Sequence, residues 1–304
     1  MDLQQLVTGI LAGTTVPESS PTEADYHAAW LDHRVGEEDE FMTAALGGAL
    51  ADRLAWVFVA GYQASMRRSF PALPRENGWC AFVNTEDRTG TYPGTTLTGE
   101  PGNHRLSGWK GWVAAADHID RLIVTASHNQ RPFMLLRRDQ PGVRIVSGGP
   151  PKAYLSELVQ GRAHFDNVAI SETQIIGDER TFPVFRATES AYVRTALSAF
   201  MFSHARRLGA PPALIGGALD ALFACAAILQ LPLPSDTAAV AMLGSASHVV
   251  ALALEFESLI AQKDQALHQL WVKDRRLIRG SLPGIASRAE RALGIASVDA
   301  SAKT

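Results

Sequence analysis

Apolar positions recur along this chain with two periods, and the change between them divides it into three zones. From about residue 22 to residue 70 the spacing is helical. Tyr26, Trp30 and His33 fall four and three apart, Phe41, Ala45, Leu46 and Leu50 recur again at helix spacing, and Leu54, Val57, Phe58 and Tyr62 continue the stripe. The stretch from Pro17 to Pro21 and Gly36 are breaks, and Pro71 and Pro74 end the zone because proline cannot donate into a continuing helix. From Trp79 to about Gly177 the period drops to two. Short Val-, Ile-, Leu- and Phe-rich runs at 80–83, 122–126, 133–136, 143–146 and 163–168 are separated by Gly, Pro, Asn and Asp, which predicts a small antiparallel barrel or sandwich. From Thr181 the helical period returns, with breaks at 209–212, 231–234 and 280–284, and the pattern fades after Leu293. The expectation is a multi-domain α+β chain: N-terminal helices over 1–75, a central antiparallel β-barrel or sandwich over 76–180, and a C-terminal helical bundle over 181–304.

Composition narrows the class. At 304 residues the chain is long enough for two or three packed regions. Its 46% hydrophobic and 19% charged residues suit a globular protein rather than a disordered one. A formal net charge of −3 without a basic run gives no electrostatic basis for nucleic-acid binding. Cys80 and Cys225 have no metal-type spacing and read as buried small hydrophobes in a reducing cytosol. Met1-Asp2-Leu3-Gln4 lacks the basic start of a secretory signal, so a cytoplasmic location is expected. The apolar stretch 213–231 resembles a membrane span, but Asp220 at its centre would cost about 2.5–3.5 kcal/mol at bilayer depth, and a helix buried in a bundle is the better expectation. His104, His118, His128 and His164 lie without ligand partners at metal spacing, so no metal site is expected.

Three segments carry candidate chemistry. Phe82-Val83-Asn84-Thr85-Glu86 ends a β-rich run in a Thr-Glu turn. Gly108-Trp109-Lys110-Gly111-Trp112-Val113 follows a Gly/Thr/Pro-rich stretch, and His164-Phe165-Asp166-Asn167-Val168 leads to Ile175-Ile176-Gly177. Each alone is weak. Trp112 would be ordinary core or rim packing, Thr85-Glu86 a turn, and Lys110 a solvated charge. Together, at their spacing, they resemble the flavin-binding middle domain of the acyl-CoA dehydrogenase family, with its T-E-P, G-x-K-x-W-I-T and F-x-D-V segments.

The resemblance implies FAD as cofactor. Phe82, Asn84 and Thr85 would touch the ring, Trp112 would pack on it, and Ala114 would stand where the family has a hydroxyl residue. Arg207, in Arg207-Leu208-Gly209, would be a remnant of a cofactor-contacting R-x-x-F-G. Gly90 and Thr91 match the pair that meets the thioester arm, in Asp87-Arg88-Thr89-Gly90-Thr91-Tyr92, where the family's acid has become Tyr92. The substrate implied is acyl-CoA or another acyl thioester, and the assembly a homodimer or homotetramer, with a homologous subunit as a further possibility.

The catalytic glutamate does not follow the resemblance. Matching Lys273-Asp274 to the family's R-D pair puts Leu282 at the usual base position, and leucine accepts no proton. The Q-x-x-G-G motif that serves a neighbour's FAD is not evident. A minority of the family carries its base on the first long C-terminal helix, here 182–208, where Glu189 is the nearest acid. The bland alternative pairs Glu189 with Arg186 or Arg194 on a solvated face. Glu255 and Glu257 are weaker candidates. Three functions remain open: an FAD-dependent dehydrogenase of acyl thioesters with Glu189 as base, a catalytically silent structural or thioester-binding subunit, and a flavin-dependent monooxygenase on the same scaffold.

Overall fold

The computed structural model describes residues 1–87, 89–126, 131–148 and 154–295. Chain contacts divide it into two compact units. One gathers Met1–Pro17, Ala44–Gly61 and Ala187–Thr304; the other gathers Glu18–Thr43 and Tyr62–Arg186.

The second unit holds the sheets. Its first helix, α2 (Glu23–Asp32), begins at a capping box in which Thr22 and Asp25 satisfy each other's backbone N–H. The helix is tied down by Glu23, which is 2% exposed. Its carboxylate meets His118 Nδ1 at 2.8 Å and accepts the Val159 N–H at 2.6 Å. Burial raises the Glu23 carboxyl above its ordinary value, and the His118 hydrogen bond opposes that rise.

Among the described residues eight strands follow: β1 (Trp79–Val83), β2 (Thr96–Thr98), β3 (His104–Ala114), β4 (Ile119–Thr125), β5 (Phe133–Arg137), β6 (Val143–Ser147), β7 (Gln160–Ile170) and β8 (Ile175–Gly177). They form two four-stranded sheets, ordered β1-β4-β5-β8 and β2-β3-β7-β6. All five sequence-predicted β runs are strands, extended by a residue or more at one or both ends. The expected barrel is corrected: no strand belongs to both sheets, so the described strands do not close. The sheets are not purely antiparallel either, because β1 pairs with β4 in parallel.

As an edge strand, β1 would expose one side of its backbone. Helix α4 (Leu54–Ser69) supplies the missing partners. Gln63 accepts the Cys80 N–H and donates to the Cys80 carbonyl, both at 2.9 Å. The Tyr62 hydroxyl accepts the Phe82 N–H at 2.7 Å. Two side chains thus stand in for a ninth strand.

The first unit is helical. It contains α1 (Leu3–Ala12), most of α3 (Glu40–Leu50), the first half of α4 and most of α5 (Thr181–Arg207). It also holds α6 (Pro212–Ile228), α7 (Asp236–Lys263), α8 (Gln265–Asp274), α9 (Arg276–Gly280) and α10 (Leu282–Ala292). The breaks at 209–212 and 231–234 fall at helix junctions as expected, whereas of 280–284 only Ser281 lies between helices and 282–284 opens α10. Helix α1 and the break at Asp264, whose carboxylate caps α8 through the Leu267 N–H, went unseen in the sequence. Both cysteines are buried and free, and burial pushes the Cys80 thiol up to about 12.

Helix α6, expected as a helix buried in a bundle, is buried along one face. Phe223 is 50% exposed and the Asp220 side chain 79%. Helix α7 alone among the described helices is long and apolar enough to cross a membrane, and 39% of its most apolar window is buried.

Candidate functional site

The candidate site is built from the β1 turn and the long strand β3. Lys110 is completely buried, which overturns its reading as a solvated charge. Its ammonium bonds the Glu86 carboxylate, the Thr125 hydroxyl at 3.0 Å and the Asn84 carbonyl at 3.4 Å. Thr125 donates onward to the Asn84 side-chain oxygen at 2.9 Å. Thr95 donates to Glu86 at 3.2 Å, and its backbone N–H reaches the same carboxylate at 3.3 Å. Burial pulls the Lys110 ammonium below its ordinary value, while the hydrogen bond it donates to Glu86 opposes that fall. The satisfied network clamps residues 84–86 against β3.

Two glycines permit this approach. A side chain at Gly111 would crowd the Glu86 carbonyl at 3.1 Å, and the Gly111 N–H donates to the Thr85 carbonyl at 2.7 Å. Gly108 has φ +116 and lets the Gly94 carbonyl come within 2.3 Å of where a Cβ would stand.

Thr85 is exposed beside this clamp, and its hydroxyl has no partner among the described residues. Asn84 is half-buried and committed to Thr125. The Phe82 side chain lies in a cluster with Phe70, Phe133, Phe182 and Phe185, at ring distances of 4.6 to 6.0 Å. Its N–H is held by Tyr62, so Phe82 anchors the turn from beneath. Ala114 is 1% exposed, opposite Gln160.

Trp112 is half-buried, and its indole N–H donates to the Gln160 side chain at 2.9 Å. Gln160, Arg162 and His164 alternate on one side of β7 with buried Gly161, Ala163 and Phe165 on the other. Trp112 therefore stands on the outer, solvent side of the second sheet. Trp109 shares that side, 4.4 Å from the His164 ring and 4.6 Å from Tyr92.

Gly90 and Thr91 sit in an exposed turn organised by Asp87. Asp87 accepts the Thr89 N–H and hydroxyl and the Tyr92 N–H, and the Thr89 bond holds its carboxyl below the usual range. The Thr91 hydroxyl lies 2.7 Å from that of Thr89. Arg88 and His128 lie outside the described residues.

The remaining predicted residues belong to the helical unit. Glu189 is half-buried on α5; Arg194 is 7% exposed, so its place on a solvated face is corrected, while Arg186 is exposed. Arg207 donates to Asp264 at 2.6 Å and reaches His204 Nδ1 at 3.2 Å. Glu257 accepts from Trp271 at 3.0 Å and from Arg275 at 2.8 Å, while Glu255 is exposed. Leu282 opens α10, and Asp274 is fully buried with Lys273 Nζ at 3.6 Å. Sequence reasoning missed Glu86, Thr95, Thr125 and Gln160. Strand parity was the available signal for the brace: His104, Leu106 and Lys110 share one side of β3.

No family model matches the chain, and no curated protein matches it. Solved structures do. A structure described as an FAD-dependent dehydrogenase aligns over 96% of this chain and 98% of its own, with TM-score 0.66 and 14% identity. The prolyl acyl carrier protein oxidase AnaB aligns over 97% and 100%, with TM-score 0.64 and 14% identity. A glutaryl-CoA dehydrogenase from Mycobacterium smegmatis, in complex with FADH2, aligns over 100% and 97%, with TM-score 0.59 and 11% identity. Over nearly its whole length, this chain has the acyl-CoA dehydrogenase fold.

Proposed function

We propose that this chain is an FAD-dependent oxidoreductase that removes hydrogen from the α and β carbons of an acyl thioester. The observation that carries the reading is the buried Lys110–Glu86 clamp, which fixes the Thr85 turn beside the outward-facing Trp112. These residues fit a flavin: the indole offers an apolar plate, and the turn offers a hydroxyl and backbone donors at its edge. The bound flavin would supply a hydride acceptor. Neighbours of the same fold include one described as an acyl carrier protein oxidase and one as a CoA-thioester dehydrogenase, which supports a thioester as the substrate class. Gly90 and Thr91 are assigned to its arm.

Glu189 is the proposed base, taking the α-proton as the hydride leaves the β-carbon, so that a carbon–carbon double bond forms. Glu189 is half-buried on α5, the helix where the resemblance implies a base for a minority of the family. Glu189→Gln should abolish dye reduction by acyl-CoA while the flavin stays bound. Unchanged turnover would discard the assignment.

Leucine at 282 favours a second reading, a catalytically silent subunit that pairs with an active homologue. Reduction of the isolated chain's flavin by any acyl thioester would exclude it. A homodimer or homotetramer is proposed on the exposed apolar positions Phe223, Val240 and Leu254 of α6 and α7.

A further inference from the structure

Arg144 on β6 and Arg162 on β7 are exposed on the same outer face as Trp112. The Arg162 guanidinium lies 5.0 Å from the centre of the Tyr92 ring, and that of Arg144 lies 5.9 Å from Trp109. A guanidinium held near a ring face by cation–π attraction keeps N–H donors for another acceptor. Arg144 turns one of these toward His164 Nδ1 at 3.4 Å. Among the described residues neither arginine has a carboxylate within ion-pair reach. Arg34, Arg121, Arg137, Arg180 and Arg207, by contrast, are all paired. The acid on this stretch of β7, Asp166, is exposed and pairs with neither arginine.

Two cations held by rings and lacking an anion form a site for a doubly charged group with clustered oxygens. Position says which one. Arg162 follows Gln160, the partner of Trp112, by one pleat repeat, roughly 7 Å along the strand. His164, directly opposite Arg144, follows by two, roughly 13 Å. Tyr92, under Arg162, directly follows Thr91. A ring lying on Trp112 and carrying a diphosphate on a short chain would place that diphosphate over these arginines.

We propose that Arg144 and Arg162 receive the diphosphate of the FAD whose ring lies on Trp112. The inference rests on the flavin reading above and adds what that reading lacks, a cationic anchor within this chain. Arg207, the arginine that the resemblance assigned to the cofactor, is held by Asp264 and His204 instead.

The test titrates the full-length apoprotein with FAD and with riboflavin, which has no phosphate, and follows quenching of flavin fluorescence. The proteins compared are wild type, R144Q, R162Q and the double variant. FAD affinity should fall about tenfold for each arginine removed, riboflavin affinity should stay constant, and the salt dependence of FAD binding should flatten in the double variant. Equal losses for both ligands would mean that the arginines only support the face, and would overturn the proposal. Unchanged FAD affinity would overturn it too, whether or not CoA binding weakens; weakened CoA binding would reassign the pair to the phosphates of a thioester arm. A wild-type protein that binds neither FAD nor riboflavin would overturn the flavin reading itself.

Discussion

At the scale of single residues, two buried basic side chains of opposite character set the behaviour. Lys110 stays useful because Glu86, Thr125 and Asn84 satisfy it. Lys110→Met would strand those acceptors and should cost about 2–3 kcal/mol in urea unfolding, with weaker FAD binding as the turn loosens. An unchanged unfolding midpoint would show that the clamp is not holding. His204 is the contrary case. It is fully buried, donates from Nε2 to the Ala51 carbonyl at 3.0 Å and accepts from Arg207 at Nδ1, so both nitrogens are satisfied in the neutral ring. Burial, chiefly, lowers it from 6.5 to about 4. The unfolded chain therefore binds the proton first as pH falls. Stability should be intact above 6.5 and lost progressively between 6.5 and about 4, by roughly 3 kcal/mol in all. Thermal unfolding across that range should show the slope, and His204→Gln should reduce it. Neither residue was legible from its letters alone. Lys110 could have been read from strand parity with Leu106, but His204 depends on Ala51, far away in the chain.

Elements were more legible than contacts. The five predicted β runs are strands because alternation of apolar and polar residues records which side of a sheet is covered. Closure was not legible, because the same alternation suits a barrel and two separate sheets. Nor could sequence reveal that β1 pairs in parallel and ends its sheet, or that Tyr62 and Gln63, on an otherwise ordinary helical stripe, complete its edge. Gln63→Leu would leave the Cys80 N–H and carbonyl buried without partners and should cost about 2–4 kcal/mol. Equilibrium unfolding would measure it, and a loss below experimental error would assign the edge's stability to packing alone. The motif segments were legible through their joint resemblance to a known family, since each alone is only a turn, a packed indole or a strand end. The arginines of the outer face were not, since what marks them is the lack of an ion pair among the described residues, which the letters do not show.

For the whole molecule, the helix–sheet–helix order read from periodicity matches a fold shared over nearly the full chain at 11–17% identity. At that distance the letters keep the pattern of burial, and the ungapped match to the family's motifs sets Leu282 where the resemblance implies a glutamate. The apolar surface of α6 and α7 was legible as hydropathy, though its exposed share was not. Phe223→Asp together with Leu254→Asp should shift an oligomer toward monomer in sedimentation equilibrium, and an unchanged mass would place the subunit contact elsewhere. The central claim is that Trp112 and the clamped turn at Thr85 hold a flavin. The most direct measurement is the visible spectrum of the purified full-length protein after incubation with FAD and removal of the free cofactor. The account predicts the bands of a bound oxidised flavin, lost in Trp112→Ala together with Thr85→Gly. A colourless wild-type protein would contradict it.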